Sequence, residues 1–161
     1  MKFFKRNLFI KTLMLLLLVV ALGGCKKEDD DEGFDGDDEI GSATFTYKGT
    51  EYSGNCVQIP ATSGAAGKID IVIASSSGSS TFTLYNMPAS SSSGSTTMTE
   101  FTTNSTTNPF ALSTINSSSA FLASVSGSAT KTGSKSFKFS IRMIDLSTDQ
   151  ESTVTGSGEY N

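Results

Sequence analysis

Residues 40–161 predict an all-β domain, a single antiparallel β-sandwich or small β-barrel of about eight to ten strands. Three observations carry that prediction. Apolar residues from Ala43 onward recur with a period of two, as strands with one buried face require. The segments between them are runs of Ser, Thr and Gly, which are turn and loop compositions. No stretch outside the first 24 residues sustains the 3.6-residue period of a helix. Length agrees: of 161 residues, the 122 from Ile40 onward suffice for one domain whose core needs no staples.

The elements follow in order. Ala43, Phe45 and Tyr47 alternate with Thr44 and Thr46, and Lys48-Gly49 before Thr50 and Glu51 predicts a tight hairpin with Gly49 free to take positive φ. Ile69, Ile71 and Ile73 alternate with Asp70 and Val72. Phe82 with Leu84 and Phe110 with Leu112 mark two shorter strands. Phe121, Ala123 and Val125 share one face of the next. The strongest strand holds Phe137, Phe139, Ile141 and Met143 on one side and Lys138, Ser140 and Arg142 on the other. Val154 and Tyr160 supply the last, where Gly156 and Gly158 suggest a bulge or a barrel corner. Ser75–Ser80, Ser90–Ser95 and Ser117–Ser119 read as loops, and Ser147 with Gln150 allows one capped helical turn.

The first 39 residues read differently. Lys2, Lys5, Arg6 and Lys11 precede an unbroken apolar run from Leu13 to Leu22, and small residues follow it, the arrangement of a secretory signal. Ten helical residues span only about 15 Å, half of a ~30 Å hydrocarbon core, so the run is too short for a membrane anchor. Leu22-Gly23-Gly24-Cys25 resembles the lipobox of bacterial lipoproteins. That resemblance implies removal of residues 1–24 by signal peptidase, recognition through Leu22, Gly23 and Gly24, and a lipid on the sulfur of Cys25. Two or more acyl chains there give a stable hold on the membrane.

Residues 25–39 carry nine acidic and two basic side chains, a net charge of -7, whereas residues 40–161 sum to about -1. So charged and so poor in apolar residues, the run predicts an extended tether. Lys26, Lys27, Glu28, Asp29, Asp30, Asp31 and Glu32, directly behind the cysteine, are similar to the export signal of Bacteroidota surface lipoproteins. The resemblance implies an outer-membrane lipoprotein facing the medium, with a plain periplasmic spacer as the alternative. The openings Ala43–Tyr52 and closings Val154–Tyr160 also look like those of small Bacteroidota lipoproteins, which implies a compact β domain and brings no functional residues.

Composition excludes several chemistries. The chain has no His and two Cys, which rules out a His-based triad, a His-ligated metal and a disulfide scaffold. Without clustered cations, nucleic acid is not an expected partner. Twenty-seven Ser and twenty Thr are its most abundant side-chain functional groups. Ser128-Ala129-Thr130-Lys131 matches S-x-x-K and Lys131-Thr132-Gly133 matches K-T-G, but one lysine would have to serve both, and no S-D-N accompanies them. The stretch Gly127–Lys135 misses the second glycine of a phosphate loop. Asp35–Glu39 lacks the twelve-residue spacing of a calcium loop. No cofactor or metal is expected.

What remains is a non-catalytic β module. Cys56, beside Val57 and Ile59, reads as a small core residue. Tyr47, Tyr52, Tyr85 and Tyr160 are candidates for an aromatic platform under a glycan. The expectation is a lipid-anchored surface protein that binds a glycan, a peptide or an outer-membrane protein through its loops. The alternatives are a coat lipoprotein without a specific ligand and a small glycoside hydrolase, for which Glu100 with Asp145 or Glu151 would be the carboxylates to examine.

Overall fold

A computed structural model describes residues 40–90, 93–102 and 107–161. The described residues contain nine antiparallel strands and no helix. These are β1 (Gly41–Tyr47), β2 (Thr50–Pro60), β3 (Lys68–Ser75), β4 (Thr81–Pro88), β5 (Gly94–Met98), β6 (Phe110–Ile115), β7 (Ala120–Lys131), β8 (Ser136–Asp145) and β9 (Glu151–Glu159). The sheet runs β5-β7-β6-β4-β3-β2-β1-β9-β8, and a further pairing of β7 with β8 closes it. Eight strands form a closed up-and-down barrel and β5 is the extra one. The sequence left sandwich and barrel open; the β7–β8 and β1–β9 ladders decide for the barrel.

Strand β7 explains the extra member. Its Ala120–Ala123 pairs with β6, its Gly127–Lys131 pairs with β5, and β8 runs along its other edge. β5 and β6 therefore occupy one strand position in succession. The chain leaves it at Thr99 and returns at Pro109, where the Thr99 amide donates to the Pro109 carbonyl at 2.8 Å. Ser124 fills the junction: its hydroxyl accepts from the Ala111 amide at 3.0 Å and donates to the Thr99 carbonyl at 2.8 Å. The sequence assigned Ser95 to a loop, but Gly94–Met98 is strand, because β7 is long enough to offer it a full ladder.

An eight-stranded barrel is just wide enough for side chains to fill. Here Phe45, Phe82, Phe137, Phe139, Ile71, Ile73, Leu84, Leu122, Ile141 and Met143 fill it. Phe82 and Phe139 stack with centroids 4.5 Å apart, and Phe45 lies 5.5 Å from Phe82. Gly156 and Gly158 mark neither a bulge nor a corner, since β9 keeps an unbroken register with β1 and β8. They face inward opposite Phe45, Phe139 and Ala43, and make room for them.

A second, smaller cluster lies on the outer wall. Phe121 and Ala123 point outward, while Leu122 points in. Ala123 joins Phe110 and Leu112 of β6, with Tyr85, Phe101, Ile144 and Leu146 packed around them. Both faces of β6 and of the start of β7 are thus covered, which accounts for their continuous burial. Asp70, on the outer side of β3, is also fully buried. Its carboxylate accepts from the Asn86 amide at 2.9 Å and from the amide (2.8 Å) and hydroxyl of Thr62. The knot fastens the β2–β3 connection over a bulge in β4, where Asn86 takes φ 57°.

Candidate functional site

The barrel has two unlike ends. At one end the chain enters at Gly41 beside Tyr160, and that end is plugged: Lys131 is buried, its ammonium donates to the Ser90 carbonyl at 2.7 Å, and it sits 5.4 Å above the Tyr160 ring. The Tyr160 hydroxyl donates to the Ser134 carbonyl at 3.2 Å. At the other end stand four connections, Lys48–Gly49, residues 76–80, 116–119 and 146–150. Lys48 and Gly49 take φ 49° and 80°, the two-residue turn the sequence predicts.

The hairpin end is built from inward-facing residues near the strand ends. Tyr47 and Tyr52 come there from β1 and β2, and Tyr52, half-buried, stacks on Phe45 at 5.0 Å with the rings 14° apart. Lys48 places its ammonium 5.3 Å from the Tyr47 ring centroid. On β8, Asp145 follows Met143 on the inward face and is 4% exposed. Ser147 donates to its Oδ1 through amide (2.9 Å) and hydroxyl (2.6 Å). Burial would raise the Asp145 pKa, but the Ser147 hydroxyl and amide, the Thr148 hydroxyl and the charge of Lys48 outweigh it and hold the carboxyl below its ordinary value. Asp145 also organises the turn expected to be a capped helical one: the Thr148 and Asp149 amides both donate to its carbonyl.

Next to it on β9 stands Ser152, the register partner of Met143. Its hydroxyl oxygen is buried and has no hydrogen-bond partner among the described residues. Across the opening, β3 and the turn after it supply serines. Ser75, Ser77 and Ser79 form a hydroxyl chain with spacings of 3.0 and 2.7 Å. The Ser75 hydroxyl accepts from the Ser80 amide, and the Ser80 hydroxyl from the Asn116 amide, both at 3.0 Å. These bonds couple the β3–β4 and β6–β7 turns, the latter carrying Asn116, Ser117 and Ser118 at positive φ.

The candidates from sequence thus separate. Tyr47 and Tyr52 meet at the hairpin end. Tyr85 lies on the outer wall, stacked on Phe110 at 4.6 Å, with its hydroxyl pKa raised by burial and by Asp70 against a bond from Thr83. Tyr160 plugs the opposite end, so no four-tyrosine platform forms. Cys56 is fully buried, and burial pushes its thiol up to about 12. Ser128 and Lys131 lie within β7, three residues apart and so on opposite faces, rather than in a turn. Glu151 lies on the outer wall 3.5 Å from Arg142, Glu100 is exposed beyond β5, and Asp145 faces inward. Among the described residues no three His, Cys, Asp or Glu side chains gather as a metal site would need. Leu22, Gly23, Gly24, Cys25 and residues 26–32 lie outside the described residues.

Part of the outer wall bears a row of hydroxyls. Thr97, Ser128, Ser140, Thr155 and Thr46 are register partners in one row across β5, β7, β8, β9 and β1. Sequence reasoning counted these residues but did not align them; the alternation of β8 and β9 was the available signal. Ser152 escaped notice because nothing local marks an unpartnered hydroxyl. Compared with family models, curated proteins and solved structures, the chain matches none of them.

Proposed function

We propose that the protein is a lipid-anchored outer-membrane lipoprotein, displayed on the cell surface, whose barrel is a non-catalytic binding module working through its hairpin end. Leu22-Gly23-Gly24-Cys25 supports the anchor, and the run Lys26–Glu32 supports the outward display. The observation that carries the binding reading is the polarity of the barrel. β1 begins at the plugged end, and the four connections of the hairpin end lie together at the other. The interior is filled by aromatic and aliphatic side chains, which leaves rim and loops as the surface for a partner.

A photo-crosslinking residue placed at Ser118 on one variant and Ser134 on another, in cells carrying the full chain, tests the reading. A specific adduct from position 118 and none from position 134 is expected. Equal adducts at both positions, or none at 118, would overturn it. Cys25→Ser tests the anchor separately: that variant should leave the membrane fraction, and mature-size protein still fractionating with membranes would refute the lipid.

The row from Thr97 to Thr46 favours a second reading, a coat lipoprotein with an unreactive hydroxyl-bearing wall. Exposed hydroxyls exchange water for a partner with little net gain, so such a wall resists association. Surface display with no adduct at either position would favour this reading.

A further inference from the structure

We infer that the plugged end of the barrel rests on a lipid bilayer, with Ile40 and Ile59 seated among the headgroups and Lys68 and Lys135 on the lipid phosphates to either side. The inference rests on the lipid-anchor reading, which supplies the bilayer, and adds a contact made by the folded domain itself. Ile40 and Ile59 are the two large apolar side chains left exposed among the described residues, at 59% and 37%. Both stand at the same end. Gly41 is the register partner of Cys56, which sets Ile40 beside Val57, and Ile59 is the next outward-facing residue of β2. Half-buried Val57 and its partner Val72 continue the apolar surface from β2 to β3.

The strand order β3-β2-β1-β9-β8 decides what flanks them. Along that arc of the rim Lys68 opens β3 on one side, and the turn before β8 carries exposed Lys135 on the other, with Lys138 further along the outer wall. Among the described residues Glu159, at the end of β9, is the acidic side chain exposed on this arc, since Asp70 is buried and engaged by Thr62 and Asn86. The hairpin end has the opposite balance, with Glu51, Asp145, Asp149 and Glu151 against Lys48 and Arg142. A bilayer interface takes apolar side chains at the headgroup boundary and cations at the phosphates, so isoleucines bracketed by lysines suit it on both counts. Fully extended, residues 25–39 span at most about 50 Å, and Ile40 is the next residue. A lipid on Cys25 therefore keeps the bilayer at a high effective concentration, where a weak contact suffices. The acids of residues 25–39 oppose a strongly anionic surface, so the isoleucines supply the adhesion and the lysines its orientation. With this end on the bilayer, the connections of the hairpin end face away from it.

The test uses the full chain as cells anchor it, extracted and reconstituted into vesicles of phosphatidylethanolamine and phosphatidylglycerol that carry a doxyl quencher at headgroup depth. A bimane probe is attached through Ser42→Cys in one protein and Ser118→Cys in another, both positions exposed, while the buried thiol of Cys56 stays unlabelled. Quenching at position 42 should exceed that at 118 several-fold. Ile40→Ser with Ile59→Ser should bring it down to the level at 118, and Lys68→Gln with Lys135→Gln should lower it part of the way. None of the four side chains is buried, so both double variants should melt with the parent. They separate a seated domain from one held nearby by its tether: unchanged quenching in either would overturn the assignment, as would equal quenching at 42 and 118. Anchored protein without quenching at 42 would overturn the lipid contact and leave that face to a protein partner. Protein that fails to enter the vesicle fraction would refute the anchor, and this inference with it, so the two failures are distinguishable.

Discussion

Gly156 lies beneath the ring of Phe139: a Cβ built on Gly156 would come within 2.4 Å of the Phe139 Cζ and within 2.4 Å of the Thr44 carbonyl oxygen. The two residues are register partners across β8 and β9, so the ring of one lies over the missing side chain of the other. One of the two clashing atoms is backbone and cannot step aside. Gly156→Ala should therefore destabilise the barrel by about 1–3 kcal/mol, the usual cost of overpacking a core. Urea unfolding measures it, and a change under about 0.5 kcal/mol, the scatter of surface substitutions, would show that the ring moves freely.

Phe139 and Lys138 are neighbours with opposite fates. Phe139 is 5% exposed and touches Phe82 and Phe137, whereas Lys138 is exposed on the outer wall. Phe139→Ala should cost about 3–5 kcal/mol, and Lys138→Ala less than about 0.5 kcal/mol. Denaturant titrations of the two variants should differ several-fold in the loss they report.

Cys56 should be chemically silent in the folded protein. With its thiol pushed up to about 12 by burial, almost no thiolate forms at pH 8. Iodoacetamide at that pH should label Cys56 only after denaturant is added; labelling of the native protein at the rate of a free thiol would contradict the burial. The sign for stability follows from the same cause. The unfolded thiol, near 9.0, loses its proton first, so stability from this group is intact below that value and falls as pH rises towards 12.

Asp145 predicts the acid limb. Its folded pKa is held below the unfolded value of 3.8, so the unfolded state takes up the proton first as pH falls. Its contribution is complete above that value and disappears as pH drops through the lower, folded one. Asp145→Asn should flatten the acid side of the stability profile and loosen the 146–150 turn, seen as faster amide exchange at Ser147, whose amide it anchors. An acid limb identical to that of the parent would place the titrating group elsewhere.

The barrel was legible where one face is wet. In β8, Lys138, Ser140 and Arg142 stay exposed and the alternation reads off directly. It misled where both faces are covered. Phe121, Ala123 and Val125 share a face in sequence, but that face is the outer one, where a second apolar cluster covers Ala123, and a register shift between Ser124 and Ser126 interrupts the pattern at Val125. Asp70 looked like the solvent side of β3, and only the distant Thr62 and Asn86 explain its burial. Of the site, the Lys48–Gly49 turn was visible, and Tyr47 and Tyr52 were named, but their meeting depends on the β1–β2 register. Ser152 and Asp145 come to the same end through the β8–β9 hairpin register, across a turn the sequence offered as a helical one.

The pairing of β1 with β9 also sets a schedule. Thr44 is the register partner of Ser157, so the first of the described strands finds its second neighbour only when the last of them exists. A ribosome releases the chain in order, and until β9 emerges β1 has one open edge and the barrel cannot shut. Contacts of such long sequence separation form slowly, and the unfinished chain stays extended and pliable meanwhile. The ring closure that removes the free edge of β1 from the finished domain leaves that edge open in the nascent one until β9 has formed.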